Sequence, residues 1–201
     1  MNFLAHIYLS GDNNDIKIGN FLGDFVKGNL DNIHNSHIKK EVLQGIALHR
    51  AIDSFTDSHE VVKQSIERLH PKYHKFSGIV VDMFYDHIFA KNFSEYSSIP
   101  LTAFSQTFYQ LLIERKEEIP KSMDRLVNSM ISRDWLSNYA NYEGIEWSLR
   151  GISQRLKFKS GIEFAVEDLK NDYELYKKEF DIFFPTLINY CQVFLAQQKN
   201  A

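Results

Sequence analysis

The chain is 201 residues long, 44% hydrophobic and 24% charged, with a formal net charge of -3 and a single cysteine. That balance excludes a disordered tail, a collagen-like repeat and a disulfide scaffold, and the length suits one domain with a sizeable core. The weak negative charge gives no footprint of a nucleic-acid protein, and lone Cys191 fits a reducing compartment.

The opening segment, Met1 to Leu9, is apolar but carries no Lys or Arg, and His6 interrupts it before an export signal could form. No window approaches the roughly 18 apolar residues of a spanning helix. The expectation is a cytoplasmic protein with no membrane and no nucleic acid among its partners. With 4 Pro and 9 Gly there is little punctuation, which favours long helices.

Asp15–Lys27 reads as a helix with Ile18, Phe21, Leu22 and Phe25 on one side and Gly28-Asn29 as its stop. His37 to about Asp57 reads as the next, with Ile38, Val42, Ile46 and His49 along one stripe. Gly78–Asn92 follows, then a helix opened by Pro100 that runs to Lys116 and another opened by Pro120 that runs to Trp135. Between Asn138 and Lys159 helix and loop are hard to separate. Gly161 to the C-terminus reads as one long amphipathic helix bent or broken at Pro185. The fold class is all-α, a single-domain helical bundle.

The chemistry rests on Asp and His residues at positions where periodicity places the core. His49, Asp53 and Asp57 continue the stripe of Val42 and Ile46 in steps of three or four, so all share one helix face. Ionisable groups facing a core are costly unless paired, hydrogen-bonded or bound to a metal. A capped, solvated helix end is the structural alternative. Asp82, Asp86 and His87 interrupt the otherwise apolar run from Ile79 to Phe89, and a buried Asp–His bond that only ties helices together would also account for them. Asp24, one turn after Asn20, and His6, inside the apolar opening, complete four segments that each offer an inward His or Asp. Such a nitrogen and oxygen donor set suits Mn²⁺, Mg²⁺ or Fe²⁺ and lacks the cysteines of a structural zinc site. Metal-assisted phosphoester hydrolysis is the chemistry it points to.

No phosphate-binding Gly-rich loop and no Gly-x-Ser-x-Gly elbow is present, and Cys191 sits in the apolar run Leu187 to Leu195 as a core residue. Two basic stretches, Lys63 to Lys75 and Ser148 to Ser160, could meet an anionic partner. Arg50 and Arg155 are the candidate phosphate clamps, because a guanidinium fork binds two oxygens at once.

Three blocks together carry a resemblance. They are Met1-Asn2-Phe3-Leu4-Ala5-His6, Gly19-Asn20-Phe21-Leu22-Gly23-Asp24-Phe25-Val26-Lys27-Gly28-Asn29, and Gly45-Ile46-Ala47-Leu48-His49-Arg50-Ala51-Ile52-Asp53-Ser54-Phe55-Thr56-Asp57. With Asp82-Met83-Phe84-Tyr85-Asp86-His87, Trp135-Leu136-Ser137-Asn138-Tyr139 and Gly151-Ile152-Ser153-Gln154-Arg155, they resemble the acyl carrier protein phosphodiesterases in order and over most of the chain. The resemblance implies a Mn²⁺-dependent hydrolase, distantly HD-domain-like. Such an enzyme removes 4'-phosphopantetheine from a serine of holo-acyl carrier protein to leave apo-carrier protein. It also gives the basic stretches an acidic protein to bind. HD enzymes carry a sequential His-Asp pair, whereas here the order is reversed, Asp86-His87.

The expected site places one or two Mn²⁺ ions, or Mg²⁺ or Fe²⁺, among His6, Asp24, His49, Asp53, Asp86 and His87. Asp82 and Asp57 orient the ligands or replace them, Arg50 or Arg155 neutralises charge building on the phosphoryl group, and Asp24 and Asp82 count among the catalytic groups. The competing readings are a nucleotide or small-phosphoester hydrolase with the same pocket, and a helical binding module whose buried polar groups are structural.

Overall fold

The computed structural model describes residues 1–28, 30 and 38–199, and among these every regular element is helical. The α-helices are α1 (Phe3–Leu9), α2 (Asn14–Leu22), α3 (Lys40–Ser58), α4 (Glu60–Tyr73), α5 (Ser77–Lys91) and α6 (Leu101–Glu114). They continue as α7 (Asp124–Ser132), α8 (Trp135–Asn138), α9 (Tyr142–Ser153), α10 (Val166–Asn171) and α11 (Tyr173–Lys199). None is long and apolar enough to cross a membrane.

One hydrophobic core runs through the bundle, and α5 is its axis. Val80, Val81, Met83, Phe84, Tyr85, Ile88 and Phe89 are all fully buried, so α5 is apolar all round and has neighbours on every side. Helix α11 lies across α3, α4 and α5. Its Phe180 and Phe184 rings stack at 4.7 Å, and Phe184 meets Phe89 of α5 at 4.7 Å. Burial of each such ring contributes about 2 kcal/mol.

The helix ends differ from the sequence expectation in three places. Helix α2 stops at Leu22 rather than Lys27, because the N–H groups of Phe25 and Val26 both turn back onto the Leu22 carbonyl. The segment after Pro120 is cut at Asp134, which adopts a left-handed backbone (φ 46°) and separates α7 from α8. The C-terminal helix is not broken at Pro185, which lies within α11; the break falls at Asp172, whose carbonyl accepts the N–H groups of Leu175 and Tyr176 to start α11. Pro185 points to solvent while Phe183, Phe184 and Leu187 anchor both of its flanks in the core. Residues 142–153, where helix and loop were hard to separate, form α9. Asn29 and His37, named as a helix stop and a helix start, lie outside the described residues.

The basic stretch Lys63–Lys75 is the outer face of α4, and its charges are used internally. Arg68 grips the buried Glu179 carboxylate of α11 with two guanidinium nitrogens, and Lys72 holds Asp168 at 2.7 Å.

Candidate metal centre

The site is assembled by a close crossing of α2 over α3. A Cβ on Gly19 would lie 2.0 Å from the Val42 carbonyl oxygen, and one on Gly45 would lie 2.2 Å from that of Ile16. Glycine at both positions lets the two backbones touch. One turn further along each helix, Gly23 leaves room for the His49 ring, whose Cγ would stand 2.1 Å from a Cβ at position 23. The ring therefore tucks beneath the end of α2, beside Asp24.

Helix α1 brings in His6 and is itself fixed by Asp86 of α5. The buried Asp86 carboxylate accepts the Asn2 N–H at 3.0 Å and the Leu4 N–H at 2.9 Å, two of the N–H groups that a helix start leaves without partners.

Asn20 orients both imidazoles. Its Nδ2 donates to the His6 carbonyl and to Ser10 Oγ, each at 2.9 Å, so its Oδ1 is the atom that faces His6 Nδ1 at 2.8 Å. The Asn20 backbone carbonyl meets His49 Nδ1 at 2.9 Å. Both facing atoms are acceptors, so both histidines carry a proton on Nδ1 and present Nε2 to the cavity, the arrangement that hydrogen-bond acceptors behind the ring give metal-binding imidazoles.

One donor atom from each of His6, His49 and Asp53 lies within 4.8 Å of the others. Asp53 bridges the pair, with Oδ1 at 3.3 Å from His6 Nε2 and Oδ2 at 3.2 Å from His49 Nε2. Asp24 adds an oxygen 3.3 Å from His49 Nε2 while its side chain stays 62% exposed. Burial opposes a charge on His49, yet the hydrogen bonds and charges of Asp24 and Asp53 outweigh it and hold the imidazole up at about 9. Burial likewise opposes ionisation of Asp53, and the two imidazoles outweigh it and hold the carboxyl well below the usual range. For His6, burial wins and its pKa falls.

The cluster opens into a cavity of 320 Å³ also lined by Thr56, Asp57 and Asp82. Thr56 Oγ1 is buried there without a hydrogen-bond partner. Burial, then the charges of Asp82 and Asp53, raise the Asp57 pKa, so the carboxylates around the cavity repel one another in a way that a cation would relieve. His6 Nε2 with its lone pair free, His49 Nε2 able to give up its proton to an incoming cation, a carboxylate between them and an orphaned hydroxyl nearby fit a divalent first-row cation.

Comparison with known proteins agrees over the whole chain. Residues 1–187 match the model of the acyl carrier protein phosphodiesterase family. The chain belongs to that family. Among its relatives, the acyl carrier protein phosphodiesterase of Klebsiella pneumoniae (strain 342) is 27% identical over 201 residues, 100% of both chains. That of Enterobacter sp. (strain 638) is 28% identical over 201 residues, 100% of this chain and 98% of the relative. That of Salmonella agona (strain SL483) is 28% identical over 189 residues, 94% and 96% of the two chains. No solved structure matches. Membership places the chain among the phosphodiester hydrolases.

Within this acyl carrier protein phosphodiesterase family chain, the structure brings His6, Asp24, His49 and Asp53 together, lines the same cavity with Asp57 and Asp82, and sets Asp86, His87, Arg50 and Arg155 apart. Asp86 spends its carboxylate on the start of α1 and is a positioning residue. His87 lies on another side of α5, stacked at 4.8 Å on Tyr142 with its Nδ1 2.8 Å from the Tyr139 carbonyl. Asp82 lines the cavity but pairs at 2.5 Å with the Met1 ammonium. Arg50 donates to the carbonyls of Val26 and Gly28, each at 2.9 Å, and so secures the turn after Asp24 instead of facing a phosphoryl group. Arg155 lines a neighbouring groove, its Nε 3.2 Å from the Gly151 carbonyl. Asn20, Gly23 and Thr56 are site residues that sequence reasoning passed over. Asn20 carried a signal, a polar side chain one turn before Asp24 on an otherwise apolar helix face.

Proposed function

We propose that this chain hydrolyses the phosphodiester between 4'-phosphopantetheine and a serine of holo-acyl carrier protein, releasing apo-carrier protein and free 4'-phosphopantetheine. His6, His49 and Asp53 would hold the cation, Mn²⁺ with Mg²⁺ or Fe²⁺ as substitutes. The observation that carries the reading is the pair of imidazoles locked by Asn20 with both Nε2 atoms turned to one carboxylate, in a chain of this family.

When bound, the cation supplies Lewis-acid polarisation of a phosphoryl oxygen and acidifies water. The remaining work belongs to side chains. Asp53 keeps both imidazoles neutralised and aligned until the cation arrives. Asp24, exposed at the mouth beside His49, accepts the proton of the attacking water on its carboxylate and returns it to the serine oxygen as the phosphorus–oxygen bond to the carrier breaks. The buried floor of Phe21 and Thr56 limits bulk water behind the reacting phosphorus.

The acidic carrier finds its complement nearby. Arg125, Arg133 and Arg155 line the adjoining groove, no Asp or Glu does, and neither Arg125 nor Arg133 forms an ion pair among the described residues. Unpaired arginines of this kind steer an acidic protein. The buried, free Cys191 suits a reaction in the reducing cytoplasm.

Incubation with purified holo-acyl carrier protein and Mn²⁺, followed by intact-protein mass spectrometry, tests the proposal. The expected result is loss of the phosphopantetheine mass, abolished by EDTA. No loss with Mn²⁺, Mg²⁺ or Fe²⁺ overturns it. Turnover of a nucleotide or simple phosphodiester without holo-carrier cleavage would instead favour a small-phosphoester hydrolase.

A further inference from the structure

A second cavity, of 460 Å³, adjoins the metal cavity and shares Asn2 and Phe3 with it. Its walls come from α7, α8 and α9, and its lining is mostly apolar with a few polar groups, the composition of small-molecule sites. Both tryptophans of the chain, Trp135 and Trp147, line it. Trp147 is 61% exposed, a large apolar surface left at the outer end of the groove.

Gly151 says most about what this space is for. A glycine inside a helix costs about 1 kcal/mol relative to alanine, so one that persists has a reason. Gly19, Gly23, Gly45 and Gly144 have theirs, since a Cβ at each would fall within 2.9 Å of neighbouring atoms. Gly11, Gly28 and Gly161 have positive φ, and Gly78, where a Cβ would come no closer than 4.0 Å to a neighbour, is the second residue of α5, at a helix start and not inside it. Gly151 has neither: it lies within α9, its φ is not positive, and a Cβ there would meet nothing within 4 Å. It is not the helix stop either, because α9 is capped by Gln154 in a right-handed conformation. Its missing side chain widens the groove, and no other atom of the described residues comes within 4 Å of where a Cβ would stand.

We propose that this groove seats the pantetheine arm of the substrate, which runs from the phosphodiester at the cluster, past Asn2 and Phe3, to the mouth at Trp147. The assignment rests on the carrier-protein reading above. The arm is a flexible chain with a dimethyl-substituted carbon, two amides and a terminal thiol. It needs apolar wall with a few hydrogen-bonding groups, and Phe3, Trp135 and Ile152 with Asn2, Ser129 and Asn138 supply both. The open outer end at Trp147 leaves an acyl group on the thiol free to project. Arg133 and Arg155 at the same groove then lie where the acidic surface of the carrier comes down around the arm.

The test uses pantetheine itself, which lacks the phosphate and so probes the groove without the cluster. Because both tryptophans line the groove, titration of the wild-type protein should give a saturable change in tryptophan fluorescence. Gly151→Phe, with its helical circular dichroism checked, should weaken that binding by about tenfold or more, and should raise KM for holo-carrier protein by a similar factor with a smaller effect on kcat. No saturable change with wild-type protein in the millimolar range overturns the proposal without any variant. Wild-type affinity in a folded Gly151→Phe protein also overturns it, as does a fluorescence response to adenosine monophosphate but not to pantetheine. Holo-carrier hydrolysis by the same wild-type preparation separates the two ideas: cleavage without pantetheine binding removes the groove assignment alone, and pantetheine binding without cleavage removes the reaction alone.

Discussion

His6 and His49 stack with ring centroids 4.3 Å apart, and each directs its Nδ1 proton to the same residue, Asn20. They use different acceptors on it. His6 takes the side-chain amide oxygen and His49 the backbone carbonyl. Substitution of Asn20 therefore separates the two. In Asn20→Ala, His49 keeps its acceptor, while His6 loses the group that fixes its tautomer and ring angle. Mn²⁺ affinity measured by calorimetry should fall by about 10- to 100-fold. The fold should lose about 1–3 kcal/mol as well, because the buried His6 Nδ1–H loses its acceptor while the His6 carbonyl keeps Ser10 Oγ. Undiminished Mn²⁺ affinity would mean that His6 is not a ligand.

Asp24 and Asp53 are both within hydrogen-bonding reach of His49, yet their variants should behave differently. Asp53 bridges two imidazoles, so Asp53→Ala should abolish metal retention, read by elemental analysis of the purified protein. Asp24 is 62% exposed, and its loss should barely move the melting temperature. Asp24→Ala should still retain metal but lose on the order of 100-fold or more in kcat with holo-carrier protein. Full activity in Asp24→Ala would remove it from the chemistry.

Much of the helical architecture could be read from the sequence, because α3 carries an apolar stripe, α5 an apolar run and α6 a proline at its start, whereas α4 was not among the expected helices. The errors arose where a backbone hydrogen bond, not a side-chain pattern, ends a helix, as at Leu22 and Asp172. The stripe expected through His49, Asp53 and Asp57 turns inward only at His49; Asp53 is half exposed and Asp57 exposed, both at the cavity. Asp86 and His87 have partners that helix spacing cannot reveal: Asp86 caps α1 and His87 bonds a carbonyl, both far away in sequence. The same holds for Arg50, whose partners are backbone carbonyls of the turn after α2.

Gly23 should be as sensitive as a ligand although it binds nothing. A methyl group there meets the His49 ring at 2.1 Å, and the ring has no free side to move to while Asn20 holds its Nδ1. Gly23→Ala should cost about 1–3 kcal/mol of stability through overpacking. It should also weaken Mn²⁺ binding, since His49 Nε2 must shift away from Asp53. Urea unfolding and metal titration on the same preparation check both parts. Loss of stability with intact metal affinity would show that the clash relaxes through α2 rather than through His49.

Asp86 and His87 are adjacent on α5, and their pKa values move in opposite senses. Burial pushes the Asp86 carboxyl up to about 7, and burial lowers the His87 imidazole to about 4. Each changes stability with pH. His87, with its pKa depressed from 6.5, favours the fold fully above pH 6.5, and that contribution is lost as pH falls towards 4, because the unfolded chain binds the extra proton. Asp86, with its pKa raised from 3.8, works the other way: its contribution is complete below pH 3.8 and is lost as pH rises through about 7. The His87 effect reaches about 3 kcal/mol at 1.36 kcal/mol per pH unit. Between pH 4 and 6.5 the two slopes oppose each other, so this pair leaves wild-type stability nearly flat with pH. His87→Gln removes one slope and exposes the other. Urea midpoints for that variant should rise as pH is lowered across the window, relative to wild type at each pH. Parallel pH profiles for the two proteins would show that His87 does not titrate as its burial between Tyr142 and Tyr173 requires.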